Sequence, residues 1–413
     1  MKRKTRFMDP AVWRQIQTWS VIVFSAAIPI GKFPAEASLV IGLLAWFIRL
    51  GLERRQPKIP GGRLNLLLLV WLAAAAVSCL NSIDLIASTN GIRKFLKLFA
   101  AYLLIVDTVR TRAVLSRVLI GAFAGLAITL ADCGWQAVFG TDVFYQVPFG
   151  AYLGGWRITG PFGHAADLGI HLVTMCPIVM ALALRGTPKA RPALWIIALA
   201  TSVTMLFTMA RGGILAFAGS MFVLSVLLRH WAPAVLGLAV GTMQVLMLPA
   251  DVKAWAASEP TWLHRLTQPE RLNFWHAAWN MIKAHPFIGV GINTFVLAYP
   301  AYRIVPDAYN QVGPYAHNQY LHMAAEMGMF GFAAFMLLLI GLGAVVRRGL
   351  AARGTTAEDK AVTAGLGAGI VAFSINGLLE SSLYYGKASL LFWWLAGLII
   401  AVDGLNPAKR RTG

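Results

Sequence analysis

The chain is predicted to be an all-α polytopic membrane protein of about twelve transmembrane helices, and three features carry that expectation. Of its 413 residues 58% are hydrophobic and only 13% charged, with mean hydropathy +0.65, whereas a soluble domain carries about 25% charged residues. Apolar stretches of the roughly 20 residues that one bilayer crossing needs recur along the whole chain. The basic residues sort to alternate connections between them. An ordinary soluble enzyme is excluded, and residues 1–413 read as a single membrane-embedded unit with no room for a separate soluble domain.

Taken in order, the spans lie near 12–31, 35–52, 64–82, 91–109, 113–139, 166–185, 192–209, 212–229, 231–250, 319–346, 360–383 and 387–404. The basic start, Met1 to Arg6, imitates a secretory signal. The apolar run behind it extends to Pro29 without a small-residue cleavage site, so an uncleaved first helix is expected. With the N-terminus cytoplasmic, 24 of the 36 Lys and Arg residues fall on inner connections and 12 on outer ones, the asymmetry of a correctly threaded protein. Both termini are then cytoplasmic. The net charge of +19 reflects this threading, and no nucleic-acid partner is expected. Cys79, Cys133 and Cys176 sit inside apolar stretches without metal-ligand spacing and read as packing residues.

The outer basic residues run against the bias and ask for a second explanation. Lys32, Lys253, Lys283, Arg303 and Lys387 read as solvated or headgroup-contacting. Arg211 is different, because Met209-Ala-Arg-Gly-Gly213 forms the whole turn between two apolar helices and fixes one guanidinium at the mouth of the bundle. Snorkelling to headgroups would explain it. Anion binding explains it better, since the glycines leave backbone N–H groups accessible beside the charge. Arg157, in Gly154-Gly-Trp-Arg-Ile-Thr-Gly160, has similar surroundings, and with Arg265 and Arg271 it completes a set that could converge on one diphosphate. Lys97, with Lys94 and Arg93, would extend the same electropositive mouth. Asp84 and Asp167 read as caps or ion-pair partners.

Two outer connections are long, about 140–165 and 251–318, the second lying between the ninth and tenth helices. Loops beyond about 15 residues are usually functional or disordered. Trp255, Trp262, Trp275, Trp279, Phe287 and Phe295 make the second far too aromatic for a solvated linker. It is expected to be partly helical and folded against the membrane. Residues 270–284 read as an amphipathic helix with Arg271, Trp275 and Trp279 on one stripe, suited to the headgroup level. His285-Pro-Phe-Ile-Gly-Val-Gly291 follows as a turn. The loop ends in His317-Asn-Gln-Tyr-Leu-His322, entering a helix in which Asn318, His322 and Glu326 share a face. A lone histidine at a helix start ordinarily caps or hydrogen-bonds. Beside a membrane cavity an ionisable group is a functional candidate.

No outer D-x-D pair is present, the adjacent acids Glu358-Asp359 fall on the cytoplasmic side, and no G-x-x-x-x-G-K-[ST] stretch occurs. A two-carboxylate metal site therefore has no obvious ligands, and energy should come from an activated substrate, not from ATP. Neither a metal nor a cofactor is expected.

In this pattern the chain resembles the O-antigen ligase and polymerase superfamily of bacterial envelope glycosyltransferases. The matching residues are Arg157 with Thr159-Gly-Pro-Phe-Gly163, Ala210-Arg-Gly-Gly213, Glu270-Arg271 with Trp275, His285 to Gly291, and His317-Asn-Gln-Tyr-Leu with Glu326-Met-Gly328. The family commonly has serine where this chain has Ala210, and often asparagine near His164. The resemblance implies a GT-C-like membrane fold, metal-independent and inverting, acting at the periplasmic face of the bacterial inner membrane. It further implies that O-antigen on undecaprenyl diphosphate is the donor and the lipid A core the acceptor. His317 is then the base, Arg157, Arg211, Arg265 and Arg271 bind the donor diphosphate, and Asn318, Glu326 and Lys97 support them. An O-antigen polymerase, a protein glycosyl ligase and, from another class, a transporter of lipid-linked glycan stay open as alternatives. The transporter fits the helix number, but the polar residues cluster at one face, not at the midplane where transporters bind.

Overall fold

The computed structural model describes residues 9–54, 61–150, 157–248, 250–258, 269–305 and 315–406, and their regular elements are all helices, with no β-strand among the described residues. Helix α1 (Pro10–Ile30) begins at Asp9, whose carboxylate accepts from the Ala11 N–H, with Pro10 in the first turn where no donor is needed. Gly31 interrupts it, and α2 (Lys32–Glu53) returns antiparallel. Then come α3 (Arg63–Ser78), α4 (Leu85–Thr108), capped by Asp84 at the Ala87 N–H, and α5 (Arg112–Phe139), capped by Thr111 and ended by Gly140 at φ 87. Next are α6 (Ala165–Arg185), α7 (Arg191–Thr208), α8 (Arg211–Leu228) and α9 (Ala232–Leu246). The long connection supplies α10 (Ala250–Ser258), α11 (Pro269–Ala284) and α12 (Phe295–Tyr302). The chain closes with α13 (Gln319–Ala351), α14 (Ala357–Asn376), started by a Thr356/Asp359 capping box, and α15 (Gly386–Gly404).

Each of the twelve expected spans coincides with a helix, and eight among the described residues (α2, α3, α5, α6, α7, α8, α13 and α15) are both long and apolar enough to cross a membrane. The other four are α1, α4, α9 and α14. In α9 only 15 residues are helical, and α4 carries Arg93, Lys94, Lys97 and Asp107. Two boundaries differ from expectation. α9 stops at Leu246, and the eleventh span ends at Asn376 instead of near 383. There the N–H groups of Gly377, Leu378 and Leu379 turn back onto Phe373, Ile375 and Asn376, so residues 377–385 form a connection containing one 3-10 turn.

Burial separates a centre from a periphery. In α6 and α15, 89% and 83% of the apolar window is buried, against 28–44% in the other six. The peripheral helices instead expose Phe33, Leu66, Ile120, Phe222 and Leu238. Apolar side chains on the outside and satisfied backbone within are what a lipid solvent selects. The chain is a multi-pass membrane protein.

The connection between α9 and α13 has its own apolar core, in which Phe274, Ala277 and Met281 of α11 pack with Phe295 and Tyr299 of α12 and Ala324 and Ala325 of α13. Helix α11 therefore packs one face on α12 and α13. Its expected stripe divides: Trp279 is exposed, Trp275 half-buried, and Arg271 reaches inward.

Helix α13 is broken at Gly328, where φ is 64 and ψ is −171. A continuous helix would bond the Met329 and Phe330 N–H groups to the Ala325 and Glu326 carbonyls. Instead Met329 and Phe330 donate to Pro286 and Phe287 at 2.8 and 3.3 Å, while Val290 and Gly291 donate to Ala325 and Glu326 at 3.0 Å each. Thus the glycine turn after α11 inserts into the break and satisfies both sides of it, as apolar surroundings demand. Both partners must be glycine-rich for backbones to approach so closely. A Cβ on Gly328 would stand 2.1 Å from the Phe287 oxygen, and one on Gly289 2.3 Å from the Glu326 carbonyl carbon. Gly328→Ala is expected to destabilise the protein by more than about 2 kcal/mol, from the left-handed backbone and the clash together. A wild-type melting temperature in detergent for that variant would remove this account of the break.

Candidate functional site

His317 precedes α13 with φ 47, a backbone region that non-glycine residues seldom occupy. It is held there because Asn318 is committed to the helix start, its side-chain oxygen accepting from the Tyr320 and Leu321 N–H groups at 3.0 Å each. Asn318 is therefore a cap. The His317 ring stacks on Phe274 of α11 with centroids 5.9 Å apart, and its side chain keeps 27% exposure. Its Nδ1 lies 2.9 Å from Oε2 of Glu380. The other carboxylate oxygen accepts from Arg271 at 2.7 Å, and Arg271 also donates to the Leu379 carbonyl. One carboxylate in the 377–385 connection thus joins the start of α13 to α11.

The arginines approach from the other side. Arg157 donates through Nε to the Thr208 carbonyl at 3.0 Å, and the Ile158 N–H bonds to Phe207 at 2.9 Å, so this segment lies across the end of α7. Met209, at φ 50, stops α7, and Ala210 turns the chain so that Arg211 opens α8. Ala210 supplies no side-chain cap, and the first N–H groups of α8 have no intrahelical partner. Gly212 lets this helix start touch the 377–385 connection, since a Cβ there would be 3.1 Å from Asn376 Oδ1 and 3.3 Å from Leu379 Cβ. The charges of Arg271 and Arg157 both act on Arg211. Arg157, Arg211 and Arg271, distant in sequence, are brought together with His317, while Arg265 lies outside the described residues.

Other expected participants are placed differently. Lys97 forms an ion pair with Glu36 at 2.5 Å, and Lys94 donates to Asn293 at 3.0 Å, so these ammonium groups tie α4 to α2 and to the glycine turn. Glu326 is buried and accepts from the Asn293 and Phe295 N–H groups at 2.8 and 2.9 Å. It anchors the turn and the start of α12. His322, one turn before it, is buried against Tyr384 at 3.7 Å and Ser381 at 3.0 Å. His285 is shared between Asn81 at 2.7 Å and Tyr302 at 3.0 Å. Lys387 is not solvated: its ammonium is half-buried over the Phe162 ring and donates to carbonyls of Pro29, Ile30 and Pro161, ending α1 and holding the Thr159 to Gly163 turn.

Glu380 is the participant that sequence reasoning missed, because it fell inside a presumed apolar span. A carboxylate within such a span was itself the signal. Burial alone would push its carboxyl up, but the His317 hydrogen bond and the Arg271 charge outweigh this and hold it below the ordinary glutamate range. A depressed folded-state value stabilises the protein above the unfolded value and ceases to do so as pH falls through the folded one. Melting temperature should therefore drop on acidification below about pH 4.5, the ordinary value. Glu380→Gln should melt lower than wild type at neutral pH and converge with it in acid; parallel curves would show that the carboxylate contributes nothing there.

This arrangement suits transfer chemistry. With Nδ1–H directed at Glu380, the Nε2 lone pair is the basic one, and the arginines with the α8 N-terminus form a cationic surface beside it.

Residues 172–336 match the sequence family described as O-antigen ligase. No curated protein matches the chain. The matched segment includes Arg211, Arg271, the glycine turn and His317, and stops short of Arg157 and Glu380. Ligase or polymerase activity on lipid-linked polysaccharide is the chemistry of that family. The arginine turn, the histidine at the start of α13 and the break at Gly328 all lie within residues 172–336, the part of this membrane protein that is similar to the O-antigen ligase family.

Proposed function

We propose that the protein transfers O-antigen polysaccharide from undecaprenyl diphosphate to the lipid A core at the periplasmic face of the bacterial inner membrane, both termini being cytoplasmic. The observation that carries this reading is the contact of both His317 and Arg271 with Glu380, beside Arg211 and Arg157. A base lies next to a site for a leaving group of high negative charge. His317 Nε2 takes the proton of the acceptor hydroxyl while its oxygen bonds to the anomeric carbon, and the bond from that carbon to the diphosphate oxygen breaks with inversion. Negative charge grows on the departing diphosphate, and Arg211, assisted by Arg157, Arg271 and Arg265, stabilises it more than the ground state. Fixed guanidiniums perform the neutralisation that a divalent ion performs elsewhere, so transfer needs no metal. Glu380 orients the imidazole and stabilises its protonated form, as a carboxylate does for the histidine of a catalytic triad.

The test uses purified protein in detergent with polyprenyl diphosphate-linked glycan, lipid A core and a chelator. Glycosylated lipid A core should form. Lengthening of the carrier-linked glycan instead would make the protein a polymerase, and loss of product that added divalent metal restores would overturn metal independence. No transfer under either condition would return the transporter reading.

A further inference from the structure

A cavity of about 1250 Å³ runs between α8, α13 and α14, from Arg185, Arg229, Arg347 and Lys360 at one end to Tyr320, Ser374 and Leu378 at the other. Ordinary small-molecule pockets measure about 300–1,000 Å³. Gly367, Ile370 and Ile375 of α14 form its floor, and Leu227 of α8 with Leu342 and Val346 of α13 form its walls. From Lys360 to Ile375 the floor runs about 22 Å at 1.5 Å per residue. One leaflet contributes about half of a 30 Å hydrocarbon core, so the groove can receive a whole acyl chain.

The mouth is cationic. Arg185 at the end of α6, Arg229 at the end of α8, Arg347 near the end of α13 and Lys360 in the first turns of α14 line it, and no aspartate or glutamate does. Arg185 donates to the Leu228 carbonyl at 2.8 Å. The nearest acid in sequence, Asp359, is engaged by Arg112 and by the Thr356 cap. None of the four basic groups is in an ion pair among the described residues. Concentrating them against one another costs energy unless an anion joins them, and the wall between α13 and α14 beside them is mostly apolar.

We infer that this groove binds one anionic phospholipid of the leaflet at that end, its phosphate held by Arg229, Arg347 and Lys360 and one acyl chain lying along α14. The basic rim lies at the end of the groove away from Tyr320 and Leu378, the lining residues nearest in sequence to His317 and Glu380, and the inference does not rest on the transferase reading. A zwitterionic lipid would fill the apolar part without rewarding the rim.

The test reconstitutes the full chain in phosphatidylcholine vesicles containing a minor fraction of phosphatidylglycerol, extracts it gently and counts retained lipid by native mass spectrometry. Wild type should retain one phosphatidylglycerol, enriched about tenfold or more over its share of the vesicle. Removing each rim charge should weaken retention by about fivefold, the effect of one cation near an anionic headgroup. The Arg229→Gln, Arg347→Gln, Lys360→Gln triple variant should therefore lose the preference, whereas Arg348→Gln, one residue outside the rim, should keep it. If the triple variant melts early, Arg347→Gln alone supplies the same readout from one exposed side chain. Equal retention of both lipids, equal loss in Arg348→Gln, or a retained polyprenyl phosphate in place of phospholipid would overturn the assignment.

Discussion

Replacing His317 by alanine is expected to lower transfer by about 10²- to 10⁴-fold, the range a positioned general base contributes, with only a small fall in melting temperature from the lost Glu380 hydrogen bond. The small structural effect follows from its position: the ring is 27% exposed, and the helix start is held by Asn318, not by His317. Glu380→Gln should lower turnover by at least about tenfold with donor KM changed much less, because the amide no longer fixes the imidazole as a carboxylate does. Near-wild-type turnover in His317→Ala, with intact donor and acceptor, would remove the histidine from the mechanism.

Arg211→Ala is expected to cost about 10²- to 10³-fold in transfer, the effect of deleting one donor aimed at developing negative charge. Arg271→Ala should differ in kind. Arg271 already neutralises Glu380 and bonds the Leu379 carbonyl, so its loss leaves a mostly buried carboxylate without its main cation. Breaking such a pair costs about 3–5 kcal/mol when fully buried, and less here, where Glu380 keeps 14% exposure. Activity and melting temperature should fall together in Arg271→Ala, while Arg211→Ala loses activity alone. Donor saturation and rate unchanged in Arg211→Ala would reject its role with the diphosphate.

Much of the fold is legible in the chain because its signals are local. Apolar runs, basic connections and the caps at Asp84 and Thr111 act over a few residues, and helices appear where they predict. The turn Met209 to Gly213 likewise marks Arg211 before any packing is known. Apolar length and helix length differ at the eleventh span. The segment 360–383 is hydrophobic enough to read as one span, yet Asn376 and Gly377 close the helix, and Glu380 leaves it. Lys387, expected from its sequence position to be solvated or headgroup-contacting, instead donates to carbonyls of Pro29 and Pro161, which are far from it in sequence.

The sequence by itself determined the solvent, the succession of helices and the residue types able to do chemistry, since composition and periodicity act locally. Only the tertiary structure decided which of those residues meet. Glu326 and Glu380 are both carboxylates near the start of a histidine-bearing helix or its partner. One is enclosed by backbone N–H groups of the glycine turn and the other faces His317 and Arg271. That division depends on the break at Gly328, whose exposed backbone groups must find partners where no water can supply them. Filling the break with the turn after α11 packs α11 on α13, where Arg271 and His317 share the Glu380 carboxylate, an arrangement across segments that no local pattern encodes.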